Sequence, residues 1–324
     1  MHLSGHAYSD VTFVIQGAIA VHGRENITIK CIESIKRYYS KASIIVSTWT
    51  DPGPIDGVVI IVNEDPGPIQ TSDPFFLNYN RMMKSTAEGI ARSKTRYVAK
   101  IRSDFWFGGF YPILEEFSKQ CFIDQIKYPL LSAKIMMCMQ RRHYRLYPFY
   151  ISDWFNFGCK EDMQKLWNGR LVETSRVSCE ASWIGRLIYE SIGCSDSCLN
   201  MDHLFHSEQQ LCLGFLKAVG VKVRMTALVR SSIFDLLESY YILGELFCVV
   251  DRNKLNLISK KHLVDNRQDN LYIWNMAVKA ADSFLARSLV TIQVIYEYLQ
   301  MEVSYKSTRF RRVVRRLWSY VSNL

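Results

Sequence analysis

The 324-residue chain is 48% apolar and 22% charged, a balance that supports a packed core and excludes a disordered polypeptide. Its formal net charge is +9, but Lys306, Arg309, Arg311, Arg312, Arg315 and Arg316 supply six of those charges, so residues 1–305 carry only +3. No run reaches the roughly 20 uninterrupted apolar residues of a spanning helix; the most apolar, Ile233 to Val250, is broken by Asp235, Glu238 and Glu245.

In chain order, Val11 to Ile15 is a β-branched and aromatic run ending at Gln16-Gly17. Its near-continuous apolarity predicts a strand buried on both faces of a parallel sheet. Asn26 predicts the cap of a helix from Ile27, with Ile27, Cys31, Ile32 and Ile35 at helical spacing, ending near Tyr38-Tyr39-Ser40. Ser43 to Thr48 and Val58 to Asn63 follow as strands. The segment Asp51-Pro52-Gly53-Pro54-Ile55 recurs as Asp65-Pro66-Gly67-Pro68-Ile69, which predicts two tight turns.

Leu77 to Ser93 carries Met82, Met83, Ala87, Ile90 and Ala91 in a helical pattern, and Tyr97 to Ile101 is a fourth strand. This alternation predicts an α/β fold: a mainly parallel sheet flanked by helices, with ligands at the carboxyl ends of its strands. Beyond Pro112 the expected strands are Lys127 to Lys134 and Tyr147 to Ser152. Phe155 to Gly158 reads as a turn into a helix containing Met163, Leu166 and Trp167. From residue 229 the pattern is helical, notably Leu271 to Tyr298, with a polar interruption at Asp251 to Asn270. A boundary near 226 would divide a catalytic domain, residues 1–226, from a helical carboxy-terminal region, residues 227–324.

Four clusters should converge at one sheet edge: Gln16-Gly17, Ser47-Thr48-Trp49, Asn63-Glu64-Asp65 and Arg102-Ser103-Asp104. Period two places Lys100, Arg102 and Asp104 on one face, a cation pair and a carboxylate along one groove. Arg grips phosphate in a bidentate way while Lys acts as a point charge, and a carboxylate there suits a hard divalent cation that bridges diphosphate oxygens. The plain alternative is a strand-end salt-bridge cluster with no ligand. Asn80 and Arg81 lie on the preceding helix, with Arg81, Ser85 and Gly89 on one stripe.

Five segments in this order and spacing resemble the WavE family of lipopolysaccharide-synthesis proteins, which look like nucleotide-sugar glycosyltransferases of the GT-A type. They are Val11 to Gly17; Ile45-Val46-Ser47-Thr48-Trp49; Asn80-Arg81 with Ser85-Thr86 and Gly89; Lys100-Ile101-Arg102-Ser103-Asp104; and Ser152-Asp153-Trp154-Phe155 with Phe157-Gly158. Ser207-Glu208-Gln209 is a weaker sixth, and the likeness spans residues 8–215.

The resemblance implies a GT-A-like (Rossmann-like) sheet with a nucleotide-sugar donor held by Gln16, Gly17, Thr48, Asn80, Arg81, Lys100, Arg102 and Asp104. It implies a lipopolysaccharide core or O-chain glycan as acceptor, with Trp154 and Phe155 offering aromatic faces to its sugar ring. The base that takes the acceptor's proton is Asp153 or Glu208, a choice left open. The general GT-A pattern has two acids flanking one residue at its metal site, whereas Arg102 stands at the first position here. The resemblance therefore implies either Mn2+ or Mg2+ on Asp104 alone, or a diphosphate neutralised by Lys100 and Arg102.

Nine cysteines in an odd, irregular set and no secretory leader predict reduced thiols and a cytoplasmic address. Cys194, Cys198, His203 and His206 are too closely spaced to enclose a folded unit between zinc-ligand pairs. No Gly-rich phosphate loop of the kinase or dehydrogenase type occurs. At the carboxy terminus Phe310, Val313, Val314, Leu317, Trp318, Val321 and Leu324 fall at helical spacing among the arginines. Residues 306–324 thus predict a basic amphipathic helix, suited to an anionic membrane surface at the inner face of the cytoplasmic membrane. The competing class is a non-catalytic nucleotide- or RNA-binding module, disfavoured because the body of the chain carries so little of the charge.

Overall fold

The computed structural model describes residues 7–72, 75–138, 148–172, 207–223, 233–261 and 292. The amino-terminal half folds as its hydrophobic patterning dictates. Strand β1 (Val11–Gln16) is wholly buried, and β2 (Ser43–Thr48) is buried beyond its first residue. Between them lies α1 (Ile27–Tyr38), whose first turn is closed by Ile29 N donating to the Asn26 side-chain oxygen at 3.0 Å, the capping bond that removes one orphan amide. Next come β3 (Val59–Val62), α2 (Tyr79–Arg92) and β4 (Tyr97–Arg102). The two Pro-Gly turns are built alike: Gly53 N and Gly67 N each donate to the aspartate two residues earlier, Asp51 and Asp65, and both glycines have positive φ.

The chain continues through α3 (Ile113–Gln120), β5 (Ile135–Cys138), β6 (Phe155–Cys159), α4 (Lys160–Trp167), α5 (Ser207–Ala218), α6 (Ile233–Leu246) and β7 (Phe247–Val250). Seven strands form one sheet in the order β3-β2-β1-β4-β6-β5-β7. All run parallel except β6, which is inserted antiparallel between β4 and β5. This is the mainly parallel, GT-A-like α/β architecture expected.

Alternation along β1 divides the core. Val11, Phe13 and Ile15 join Tyr39, Phe107, Phe155 and Phe157 on the α1 and α3 side, while Val14 joins Met83, Ile90, Trp167, Phe215 and Phe247 on the other. Gly89 lets α2 lie directly on the sheet, since a Cβ there would collide with the Val14 side chain, with Ser47 in ordinary contact beside it.

Three expectations change. Lys127 to Lys134 is not a strand: Tyr128 N and Leu131 N close turns on Asp124 O and Tyr128 O, and the buried Asp162 carboxylate accepts from Ser132 N and Ala133 N. The strand begins one residue later, at Ile135. Residues 148–152 form no strand either, whereas Phe155 to Gly158, expected as a turn, lies within β6. Asn and Gly are poor strand formers, but Asn156 sits fully buried opposite Lys100, donating to Ser152 O, so tertiary pairing overrides propensity.

Nor does the sheet end before residue 226. The chain beyond it supplies the edge strand β7, and Leu257–Ile258 pairs antiparallel with Trp106–Phe107. The continuous apolarity of α6 running straight into β7 hides that strand behind a helical pattern. The segments Leu271 to Tyr298 and residues 306–324 lie outside the described residues, as do Cys194, Cys198, His203 and His206.

Candidate active site at the strand ends

Parallel β1, β2 and β4 finish together, and antiparallel β6 begins at that same edge, so Gln16-Gly17, Ser47-Thr48, Arg102-Ser103-Asp104 and Asp153-Trp154 meet there. Backbone bonds tie the ends: Gly17 N donates to Ser47 O at 3.2 Å and Ser103 N to Gln16 O at 2.9 Å. Gly17 has φ +120, and a Cβ there would stand 3.1 Å from Ser103 Oγ, which itself donates to Ala18 O at 2.6 Å. Glycine is therefore required at this crossing by both conformation and space.

Arg102 is the hub. Its Nε donates to Asp104 Oδ1 at 2.9 Å, its Nη2 to Asp104 Oδ2 at 2.8 Å, and its Nη1 to Asp153 Oδ2 at 3.3 Å. The Arg102 and Asp104 side chains keep 23% and 20% exposure, while Asp153 keeps 7%. Burial works against the guanidinium's charge, but Asp153, Asp104 and then Glu208 outweigh it, holding the group charged more firmly than a free arginine.

Arg252 joins from the segment after β7. Its guanidinium carbon stands 5.2 Å from the Trp154 ring centre and 5.5 Å from that of Phe105, and Arg102 approaches the same Phe105 ring at 5.9 Å. Its Nε is fixed on Leu257 O at 2.8 Å. Sequence reasoning missed this residue because it lies beyond the expected boundary. It follows the apolar run Phe247 to Val250 by two residues, but that run reads as the end of a helix, so the local pattern carries no signal for it.

Comparison with known families supplies the context for this cluster. A profile described as WavE lipopolysaccharide synthesis matches residues 11–317. The chain belongs to the WavE lipopolysaccharide synthesis family. The match runs about a hundred residues past the last recognisable motif and includes Arg252. No curated protein matches the chain.

The WavE motif residues separate into those at the strand-end edge and those spent on the fold. Arg102, Asp104 and Asp153 are together, and Glu208, partly exposed in the first turn of α5, acts on Arg102 through its charge. Gly17 is at the edge, Gln16 is buried beside it, and Thr48 is fully buried with its Oγ1 unpartnered among the described residues.

Lys100 departs from the expected groove. It is completely buried, donates to the Asp153 carbonyl and lies 4.7 Å from the Trp167 ring centre. Burial lowers its pKa to about 8 against the upward pull of Asp153. Period two is obeyed, but the face it selects dives into the core one turn of the pleat below Arg102.

Asn80 is buried and uses both ends of its amide on the backbone of Val172, at 2.8 Å each, which ties it to the fold. Arg81 is held by both Asp65 carboxylate oxygens. Phe155 is wholly buried against Phe107, and the Trp154 ring is covered by Phe105 at 5.1 Å and by Arg252. Neither ring is open to an acceptor sugar: Phe155 lies in a strand buried on both sides, and Trp154, just before it, is covered by its neighbours.

The fit for a divalent cation can be judged from the donors. Both Asp104 oxygens already accept from Arg102, and among the described residues no three His, Cys, Asp or Glu side chains gather as a metal site. The described residues do not fit a metal on Asp104. Among the described residues, no helix is long and apolar enough to cross a membrane, and the six described cysteines are free and buried.

Proposed function

We propose that this WavE protein is a glycosyltransferase that moves a sugar from a nucleotide-sugar donor to a lipopolysaccharide core, O-chain or related surface-glycan acceptor. The observation that carries the reading is the Arg102–Asp104–Asp153 cluster at the carboxyl edge of a GT-A-like sheet, in a chain of a lipopolysaccharide-synthesis family. Such edges are where open α/β sheets bind ligands, and a fixed guanidinium there answers the charge that develops on a departing diphosphate.

In the reaction, Glu208 takes the proton of the acceptor hydroxyl, whose oxygen attacks the anomeric carbon of the donor sugar. The bond from that carbon to the diphosphate oxygen breaks, and its electron pair leaves with the diphosphate towards Arg102. Glu208 is assigned as base over Asp153 because it is partly exposed, whereas the Asp153 carboxylate is nearly buried and bonded to Arg102. Asp153 then acts by holding Arg102 in place. The basic amphipathic segment 306–324 would bring the enzyme to the anionic inner face of the cytoplasmic membrane, where a lipid-linked acceptor resides.

A thermal-shift series with UDP-, GDP-, CMP- and dTDP-sugars tests the reading. One nucleotide class should raise the unfolding temperature of the full-length chain, since a ligand that binds only the folded state stabilises it. An unchanged transition with every donor would contradict it.

A further inference from the structure

We infer that Arg102 and Arg252 form a paired guanidinium clamp for the two phosphates of the donor, taking the place of a bound metal; this rests on the nucleotide-sugar reading above. Both guanidiniums stand within 6 Å of the centre of one buried ring, Phe105. They are brought there by different strands: Arg102 ends β4, and Arg252 follows β7, a parallel strand that finishes at the same edge. Each is oriented before any ligand arrives. Arg102 is held by Asp104 and Asp153, and Arg252 by its bond to Leu257 O and its place over the Trp154 ring.

The chemistry follows from the donor count. An arginine carries five N–H groups, and the bonds to Asp104 and Asp153 use three of those on Arg102, leaving one hydrogen on each terminal nitrogen. The order carboxylate, cation, phosphate that a divalent ion would create is reproduced here with a guanidinium as the cation. Guanidinium N–H groups match phosphate oxygens, and two cations at one edge suit a diphosphate better than a single phosphate. Each Asp104 oxygen already accepts one bond from Arg102, so a metal on Asp104 would have to sit against the guanidinium's own positive charge.

Inorganic pyrophosphate is the probe, titrated calorimetrically into the full-length chain with EDTA and, separately, with Mn2+. The expected result is binding of equal affinity in both, weakened at least tenfold by Arg252→Gln and unaffected by Arg96→Gln, a cation stacked on Tyr97 at the opposite end of β4. Because Arg252→Gln also removes the bond to Leu257, phenylglyoxal footprinting of the unmutated chain supplies a second measurement: pyrophosphate should protect Arg252. Binding that needs Mn2+, no binding in either condition, or full reactivity of Arg252 with pyrophosphate bound would overturn the clamp. Its failure is separable from failure of the transfer reading. Sugar transfer that requires Mn2+ removes the clamp and leaves the transferase, whereas metal-free pyrophosphate binding with no response to any nucleotide sugar removes the transferase and leaves the clamp.

Discussion

Arg102 and Asp104, two residues apart across the end of a strand, close a two-bond ion pair at 2.9 and 2.8 Å, and Asp153 completes the hold from the segment that leads into β6. On the proposed reading, the arrangement fixes a cation where the charge of the departing diphosphate is met. Replacing Asp104 by Asn removes the charge of the partner but keeps its shape. Sugar transfer by Asp104→Asn should fall at least a hundredfold. Stability should change by only about 1–2 kcal/mol, because the pair is partly solvated and charge-assisted bonds contribute on that scale. Initial rates and urea unfolding, measured on one preparation, check both parts.

Asp153 and Glu208 should separate in their effects. Loss of a general base costs about 10²–10⁴ in rate, so Glu208→Gln should lose transfer while its unfolding midpoint stays near that of the unmutated chain. Asp153→Asn should lose activity and stability together, since it leaves Arg102 half-held in a nearly buried site. A Glu208→Gln enzyme of normal rate would reassign the base.

Lys100 predicts a pH signature in stability. Its folded pKa, about 8, lies below the value of about 10.4 for an unfolded lysine. Below pH 8 the fold therefore carries a buried ammonium at full desolvation cost, and that cost fades as pH rises towards 10.4. Relative to Lys100→Met, the unmutated chain should gain stability across this window, by about 3 kcal/mol at about 1.4 kcal/mol per pH unit. Urea unfolding of the pair at pH 7.5, 8.5 and 9.5 reads the difference directly; a gap that stays constant would show that the amine does not titrate there.

Gly89→Ala tests the approach of α2 to the sheet. The added methyl meets Val14 and Ser47 rather than space, and overpacking of this kind costs about 1–3 kcal/mol. The urea midpoint should drop correspondingly; an unchanged or raised midpoint would mean the helix can lift without penalty.

What the sequence made legible was whatever repeats a simple period. Val11 to Ile15, Ile44 to Val46 and Val98 to Ile101 are, Thr12 and Lys100 apart, apolar because they are buried on both faces, and their order defines the parallel half of the sheet. The antiparallel β6 was hidden because Asn156 and Gly158 carry turn chemistry, while the pairing that makes them strand residues is with a segment more than fifty positions away. The same non-locality governs the site. Arg102 and Asp104 announce themselves as a short motif, but Lys100 looked like their partner until burial placed it beneath Asp153. Asn80 looked available until Val172 used its amide, and Arg252 enters through the parallel pairing of β7 with β5, which no local pattern records.

The central claim is sugar transfer itself, and mass spectrometry of the reaction is its most direct measurement. The full-length chain would be incubated with the nucleotide sugar that stabilises it and with lipopolysaccharide acceptors truncated at successive sugars. One acceptor should gain the mass of a single sugar, with one nucleotide leaving group released per sugar added. A donor that binds yet is neither consumed nor transferred to any acceptor would contradict the account.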